Sequence, residues 1–309
     1  MQFFEIFKTT FSLFLLITVG YISRKKKIIN DQATIDFSRF LLKILFPIYL
    51  FQAASSYMTR AYVFSAPIYF LVNFILLIIL YFLSKPLARF FHISPEREST
   101  FRLCSIMGNT GFFGMIFAAS FYGPQGIVAA TLYDFGGSIP FFLILLPSLF
   151  QRDHKGNIFA IFKEPNIIAV IFGMIIGILG LKIPDFFSPA FEMVSRITLP
   201  LALIMCGSQL AGIQTFAGHK YSQIWYLILI KMVLSPLILL GIVWFLPLEP
   251  LMKQFVILDA AMPTGISMVN FTKAFDKDTD FAAISIFSTT TVALLWLPVL
   301  MIGLSSLFS

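Results

Sequence analysis

Residues 104–114 read CSIMGNTGFFG, in the middle of an apolar run that extends from Phe101 to Phe121. Gly108, Asn109, Thr110, Gly111 and Gly114 fall where a helix crossing a bilayer is deepest. Residues 259–267, DAAMPTGIS, repeat the pattern in a later run, with Asp259, Pro263, Thr264, Gly265 and Ser267. Glycine weakens a helix by about 1 kcal/mol, and proline removes a backbone hydrogen bond and clashes with the preceding turn. Both runs are therefore expected to break at mid-span. Irregular backbone at membrane depth is tolerated only where it is buried in protein or lines a wet cavity. An unwound point exposes helix N-termini, which favour an anion, and free carbonyls, which favour a cation. Two such breaks meeting near the centre would form a binding site. Ordinary packing kinks are the alternative, since Gly and Pro are common in membrane helices.

Around these stretches the chain is apolar throughout. Of its 309 residues 58% are hydrophobic and 12% charged, the mean hydropathy is +0.89, and Phe occurs 38 times. A soluble domain carries about twice that share of charge. Such a chain cannot cover its outside with polar groups, so its solvent is lipid. Ten candidate spans follow, roughly 3–22, 35–57, 62–83, 101–121, 126–149, 165–182, 188–211, 224–246, 251–272 and 280–303. Each is near the ~20 residues that a crossing needs. The stretch Asn157–Lys163 between the fifth and sixth reads equally as a short interfacial helix or a plain loop.

The net charge of +7 points to nucleic acid in a soluble protein. Here the basic residues sit in short loops, so no nucleic-acid partner is expected. Arg24–Lys27, Lys85–Arg102, Arg152–Lys163, Lys220, Lys273 and Lys277 mark one set of loops; the other set holds only Lys8, Arg60, Lys182 and Lys253. The positive-inside bias makes this a multi-pass protein of the cell membrane with both termini on the non-cytoplasmic side. The first run is full length and RKKK follows it, so no cleavable leader is expected. Cys104 and Cys206 lie inside spans and read as free buried thiols.

The two halves keep a common register. Pro47 and Pro200, Lys43 and Arg196, and Gly20 and Gly173 each stand 153 residues apart. Thr110-Gly111 and Thr264-Gly265 stand 154 apart, and Leu146-Pro147 and Leu297-Pro298 stand 151 apart. An odd number of spans per half makes the second half enter from the opposite side. The expected fold is an all-α membrane protein of ten helices in two inverted five-helix repeats, residues 1–150 and 151–309.

Asp134, Asp259, Lys231, Lys43 and Arg196 fall inside spans. Each costs about 2.5–3.5 kcal/mol at a helix centre on insertion scales, so each must face the interior, a cavity or another charge. Lys43 and Arg196 lie far enough from the centre to snorkel outward. Lys231 reads as a charge-balancing partner of an aspartate. Asp259, beside a break, and Asp134 read as sites for a coupling sodium ion or proton. Gln52, Asn73, Ser138, Gln209, Asn270 and Ser288–Thr291 are neutral candidates to complete a cavity. His92, His154 and His219 are all in loops, and no metal-ligand spacing is present. No phosphate loop, nucleophile elbow or HExxH motif occurs, so neither ATP drive nor an enzyme is expected, and no cofactor beyond a sodium ion.

Four stretches resemble the auxin efflux carrier family, whose bacterial members include malate and malonate permease-like proteins. They are GNTGFFGMIFAASFYG (108–123), KEPNIIAVIFGMIIGILG (163–180), ITLPLALIMCGSQLA (197–211) and LDAAMPTGISMVNFTKAFDKD (258–278). The resemblance covers essentially the whole chain. It implies a fold similar to that of bile acid/sodium symporters, with helices 3–5 and 8–10 as a transport domain. Helices 1, 2, 6 and 7 would form a scaffold that dimerises. Substrate would sit where spans 4 and 9 cross and move by an elevator-like shift. Asn109 matches the crossover asparagine that meets a substrate carboxylate, and Pro263 the crossover proline of span 9. Gly108 stands where plant members carry proline, and Thr264 and Asp259 where they carry glutamine. Asp259 is similar to the acidic residue of sodium-coupled relatives, which weighs against uniport. The large cytoplasmic loop of some plant carriers is absent.

The expectation is a secondary transporter of a small mono- or dicarboxylate. Asn109, Thr110, Gly111, Pro263, Thr264 and Gly265, with Gln52 and Asn270, would bind substrate through side chains and helix-end amides. A sodium/proton exchanger of related architecture is one alternative. A membrane receptor that binds a small molecule without moving it is another.

Overall fold

The computed structural model describes residues 2–57, 60–150, 163–181, 183–212 and 222–308. Among them every regular element is helical. In chain order these are α1 (Gln2–Lys25), α2 (Asp31–Phe40), α3 (Phe46–Tyr57), α4 (Arg60–Phe90), α5 (Pro95–Ile106), α6 (Met115–Pro140) and α7 (Leu146–Phe150). After the second half begins come α8 (Pro165–Leu179), α9 (Ser188–Gly212), α10 (Ile224–Leu229), α11 (Ser235–Trp244), α12 (Pro250–Ala260), α13 (Met268–Ala274) and α14 (Thr279–Leu307). Five stretches are long and apolar enough to cross a membrane: Pro67–Phe90, Thr110–Leu149, Ser188–Gly212, Ile224–Trp244 and Thr279–Leu307. Most of the Asn157–Lys163 stretch lies outside the described residues. So do Arg152, His154, Lys155, Lys182, His219 and Lys220.

Local signals set the helix ends. The Asn30 side chain accepts from Ala33 N at 2.7 Å and starts α2. Pro95 opens α5, followed by Glu96 and Glu98 in the first turn. Asp278 accepts from Phe281 N at 2.9 Å and starts α14. The 40-residue stretch Thr110–Leu149 is interrupted at Gly123, with φ 64° and ψ −154°, just before Pro124. That is the boundary expected between the fourth and fifth spans. Only glycine adopts this conformation cheaply.

Three π-helical turns, Leu41–Leu45, Phe141–Leu145 and Ile230–Leu234, each end two residues before a proline. Those prolines are Pro47, Pro147 and Pro236. A proline cannot donate to the carbonyl four residues back and its ring pushes that carbonyl away, so the turn widens locally. At Pro236 the displaced carbonyl is that of Met232, and the indole Nε1 of Trp296 donates to it at 2.7 Å.

The chain forms two compact units. The first comprises Met1–Ile68, Met115–Phe135 and Phe159–Gly212. In it α1 packs along α9 and α3 along α8. The pairs approach through glycines. A Cβ at Gly20 would strike the Ile204 carbonyl, one at Gly207 the Ile17 carbonyl, and one at Gly173 would lie 2.7 Å from the Phe51 carbonyl oxygen. Small residues at such contacts let membrane helices pack backbone against backbone. Thr34 and Ser208 share a buried hydroxyl hydrogen bond of 2.7 Å, and Gln209 Nε2 donates to Ser38 Oγ at 2.8 Å. Ile168, Ile171, Phe172, Ile175 and Leu179 point outward from α8, as lipid-facing residues do.

The second unit comprises Tyr69–Gly114, Gly136–Ile158 and Ile213–Ser309. Arg97 near the start of α5 pairs with Asp278 at 2.8 Å, which ties that helix to the start of α14. Ring contacts join Tyr69 to Phe255 and Phe141 to Phe271, with centroids 5.9 and 5.2 Å apart. The two cysteines are free and buried, Cys206 in the first unit and Cys104 in the second.

Candidate functional site at the two helix breaks

Both expected breaks are present, and both lie in the second unit. α5 stops at Ile106, and Met107 turns into extended backbone with φ −83° and ψ 118°. A π-helical turn resumes at Thr110 and runs to Gly114. In the later run α12 stops at Ala260, and regular helix resumes only with α13 at Met268. The two irregular segments pair with each other. Gly108 and Thr264 form an isolated antiparallel β-bridge. Asn109 N donates to Pro263 O at 2.7 Å, and Gly265 N donates to Met107 O at 3.2 Å. Buried backbone groups need partners, and here each break supplies them to the other. A Cβ at Gly265 would lie 3.2 Å from the Gly108 oxygen, a tight contact that would push the two segments apart by a few tenths of an ångström.

This pairing corrects part of the expectation. The backbone amides of Asn109 and Gly265 do not point to a ligand; they hold the crossing closed. Thr264 is likewise a clamp. It is 0% exposed, its hydroxyl donates to Cys104 O at 3.1 Å, and its amide donates to Thr289 Oγ1 at 3.1 Å. Thr289 in turn donates to Ser285 O at 2.7 Å, so α14 anchors the second break.

Asn109 stands apart from these clamps. The residue is 7% exposed, and among the described residues its Nδ2 has no hydrogen-bond partner. A buried amide donor left unpaired is disfavoured by about 1–3 kcal/mol, and such groups in a folded protein call for a reason. Thr110 is buried beside it and Gly111 is half-buried. Asp259 is 2% exposed in the last turn of α12, and a Cβ on Gly114 would collide with its Oδ1. Gly114 N donates to Asn109 O at 2.9 Å, which draws the two breaks and the carboxylate into one cluster.

The ends of the two broken helices are capped from one neighbour. Lys231 Nζ donates to Ile106 O at 3.0 Å, and Ser235 Oγ donates to Ala260 O at 2.8 Å. Lys231 lies in the π-helical turn Ile230–Leu234 and Ser235 opens α11. The contact that Lys231 makes is thus a helix-end carbonyl, where the sequence pointed to an aspartate. A backbone carbonyl at a helix C-terminus carries partial negative charge and accepts a cation. Ser235 and Trp296 escaped the sequence reading; the signal for both was Pro236, which frees the Met232 carbonyl.

The remaining candidates fall elsewhere. Gln52 and Asp134 belong to the first unit. Gln52 Oε1 there accepts a short hydrogen bond from Ser195 Oγ. Asn270 is on α13 and exposed. Asn73 is buried against Gly137, at whose position a Cβ would lie 2.6 Å from Asn73 Nδ2. Lys43 is exposed, and Arg196 pairs at the surface with Glu192 at 2.6 Å, as outward-reaching side chains would. Among the described residues no group of three or more His, Cys, Asp or Glu is placed to hold a metal ion.

A family model described as membrane transport protein matches residues 5–160 and residues 155–301. An uncharacterized transporter of Methanocaldococcus jannaschii is 25% identical over 295 residues, covering 91% of this chain and 93% of that protein. The uncharacterized transporter YfdV of Escherichia coli K12 is 24% identical over 303 residues, covering 92% and 94%. An uncharacterized transporter of Methanothermobacter thermautotrophicus is 22% identical over 302 residues, covering 94% and 96%.

Proposed function

We propose a function for a chain that belongs to the auxin efflux carrier family of membrane transport proteins: it carries a small organic anion, a mono- or dicarboxylate such as malate, across the cell membrane. The observation that carries this reading is the Nδ2 of Asn109, buried without a hydrogen-bond partner among the described residues, at a crossing where the Asn109 and Gly265 amides and the Thr264 hydroxyl are already bonded. A carboxylate oxygen accepts the hydrogen bond that an amide N–H of this kind donates, and a charge-assisted bond is stronger than a neutral one. The N-terminal end of the helical stretch that resumes at Thr110 adds partial positive charge. Lys231 presents an amine at the end of α5, and it adds to that charge when protonated. Thr110, Gly111 and Pro263 shape the pocket, while Thr264 and Gly265 keep the breaks in register.

The mechanism proposed is elevator-type alternating access by a secondary transporter, with helices 3–5 and 8–10 as the moving domain. Helices 1, 2, 6 and 7 are the scaffold, through which two copies would pair, and both termini would lie on the non-cytoplasmic side. Several features support ten helices in two inverted repeats. Gly20 meets Ile204 and Gly173 meets Phe51 and Ala54. Gly20 and Gly173 stand 153 residues apart, as do Phe51 and Ile204, and Ala54 and Gly207. Equivalent residues thus make equivalent contacts in the two halves. Asp259 would carry a coupling cation or proton, with Asp134 as a second candidate acid. Its burial at the breaks also favours a second reading, a cation/proton exchanger without an organic substrate.

Uptake of a radiolabelled dicarboxylate into proteoliposomes separates these readings. Saturable uptake by the wild type that is lost in Asn109→Ala and Pro263→Leu is expected. Near-normal uptake in both variants removes the site assignment. Sodium-driven proton flux without carboxylate uptake favours the exchanger.

A further inference from the structure

An ammonium group inside a membrane protein needs a partner that repays its desolvation. Lys231 is 2% exposed, and its Nζ lies 3.0 Å from the carbonyl oxygen of Ile106. Ile106 is the last residue of α5. The carbonyls of a helix's last turn have no partner within the helix and form the negative end of its dipole. Because the chain leaves the helix at Met107, no following turn takes up this oxygen. Unwound carbonyls and half-helix C-termini inside transporters are where sodium ions are held. At this one the oxygen is already met by a cation that belongs to the chain.

The second break is built on the same plan with a neutral group. Ala260 ends α12, and its oxygen accepts from the buried Ser235 hydroxyl at 2.8 Å. Lys231 and Ser235 are four residues apart and flank the π-helical turn set by Pro236. Trp296 fixes that turn from α14 through its bond to Met232 O. The backbone turn that carries Lys231 is therefore fixed from α14.

We propose that the Lys231 ammonium is the resident cation of the crossing: it fills, at the carbonyl end of α5, the place of a bound sodium ion. The site then keeps its positive charge without sodium, which leaves the proton, of the two coupling readings given for Asp259. This deepens the anion reading by naming the source of that charge, and it rests on that reading for its role in transport.

Thermal unfolding of the detergent-purified full chain, in sodium chloride and in choline chloride at equal ionic strength, tests the proposal. No carboxylate is present, so the proposal can fail while the anion reading stands. Wild-type midpoints are expected to coincide in the two salts. Lys231→Ser withdraws the ammonium and leaves room beside the Ile106 oxygen. Its midpoint is expected to be lower than that of wild type in choline and to rise specifically in sodium. A sodium-specific rise in the wild type overturns the proposal, and so does a Lys231→Ser protein indifferent to sodium. If Lys231→Ser folds in neither salt, calorimetric titration of the wild type with sodium chloride decides. No saturable heat is expected; a saturable heat overturns the proposal.

Discussion

In the first unit, Gly20, Gly207 and Gly173 lie inside unbroken helices and let one backbone press against another. In the second, Gly108 and Gly265 lie where helices stop and two irregular backbones exchange hydrogen bonds. The first arrangement keeps the helices continuous through the glycines. The second gives up helical bonds at both breaks and recovers them across the crossing, with Lys231, Ser235 and Thr289 as caps. The difference shows where the chain can afford polar groups at membrane depth. The first unit's helix pairs are close-packed, and the polar side chains beside Gly207 pair with one another, Ser208 with Thr34 and Gln209 with Ser38. The second gathers a buried lysine, a buried aspartate and an unpaired amide around its breaks.

The comparison breaks most readily at the glycines of the first unit. Gly207→Leu would drive a side chain into the Ile17 carbonyl, which cannot move aside as a flexible side chain could. We expect a loss of about 3 kcal/mol or more, at the upper end of overpacking effects. It would be read as a fall in melting temperature or loss of folded protein from membranes. A Gly207→Leu protein as stable as wild type would show that α1 and α9 do not meet at this point.

Gly114→Ala probes the second unit in the same manner. Its Cβ would collide with the Asp259 carboxylate, a side chain with some freedom to shift, so a smaller loss of about 1–3 kcal/mol is expected. A double-mutant cycle with Asp259→Ala should show coupling, because the clash disappears when the carboxylate does. Additive losses would place Asp259 away from Gly114. Thr264→Val, which removes the hydroxyl bond to Cys104 O, should cost about 1 kcal/mol. A neutral Thr264→Val would remove its role as a clamp.

The positions of the breaks were legible because Gly, Asn and Pro at mid-span are costly wherever they occur. The helix boundary at Gly123-Pro124 was legible for the same reason. The partners of the polar groups were not. A buried lysine announces that it needs an acceptor, and the sequence offered two aspartates as named candidates. The acceptor is the Ile106 carbonyl, and a backbone carbonyl is present at every residue, so no sequence pattern singles it out. Thr264 misled in the opposite sense. A threonine beside a break reads as a ligand-binding hydroxyl, but the Cys104 carbonyl, 160 positions away, takes it. Polarity inside a span carries no information about which unit the span joins, and Gln52 and Asp134 belong to the first. Ser235 had no signal of its own beyond its place one turn after Lys231 and next to Pro236.

Asn109→Ala has the smallest expected effect on folding and the largest on binding. It removes a buried donor that has no partner, so stability should change by no more than about 1 kcal/mol. The most direct test of the site is therefore thermal unfolding of wild type and Asn109→Ala against a panel of mono- and dicarboxylates. A ligand at about 100 times its dissociation constant stabilises the native state by roughly 2.7 kcal/mol, a visible rise in midpoint. A rise for one carboxylate in the wild type, absent from an Asn109→Ala protein that unfolds at the wild-type temperature without ligand, is the predicted result. The same rise in both proteins, or none in the wild type with any carboxylate, would contradict an anion site at the crossing.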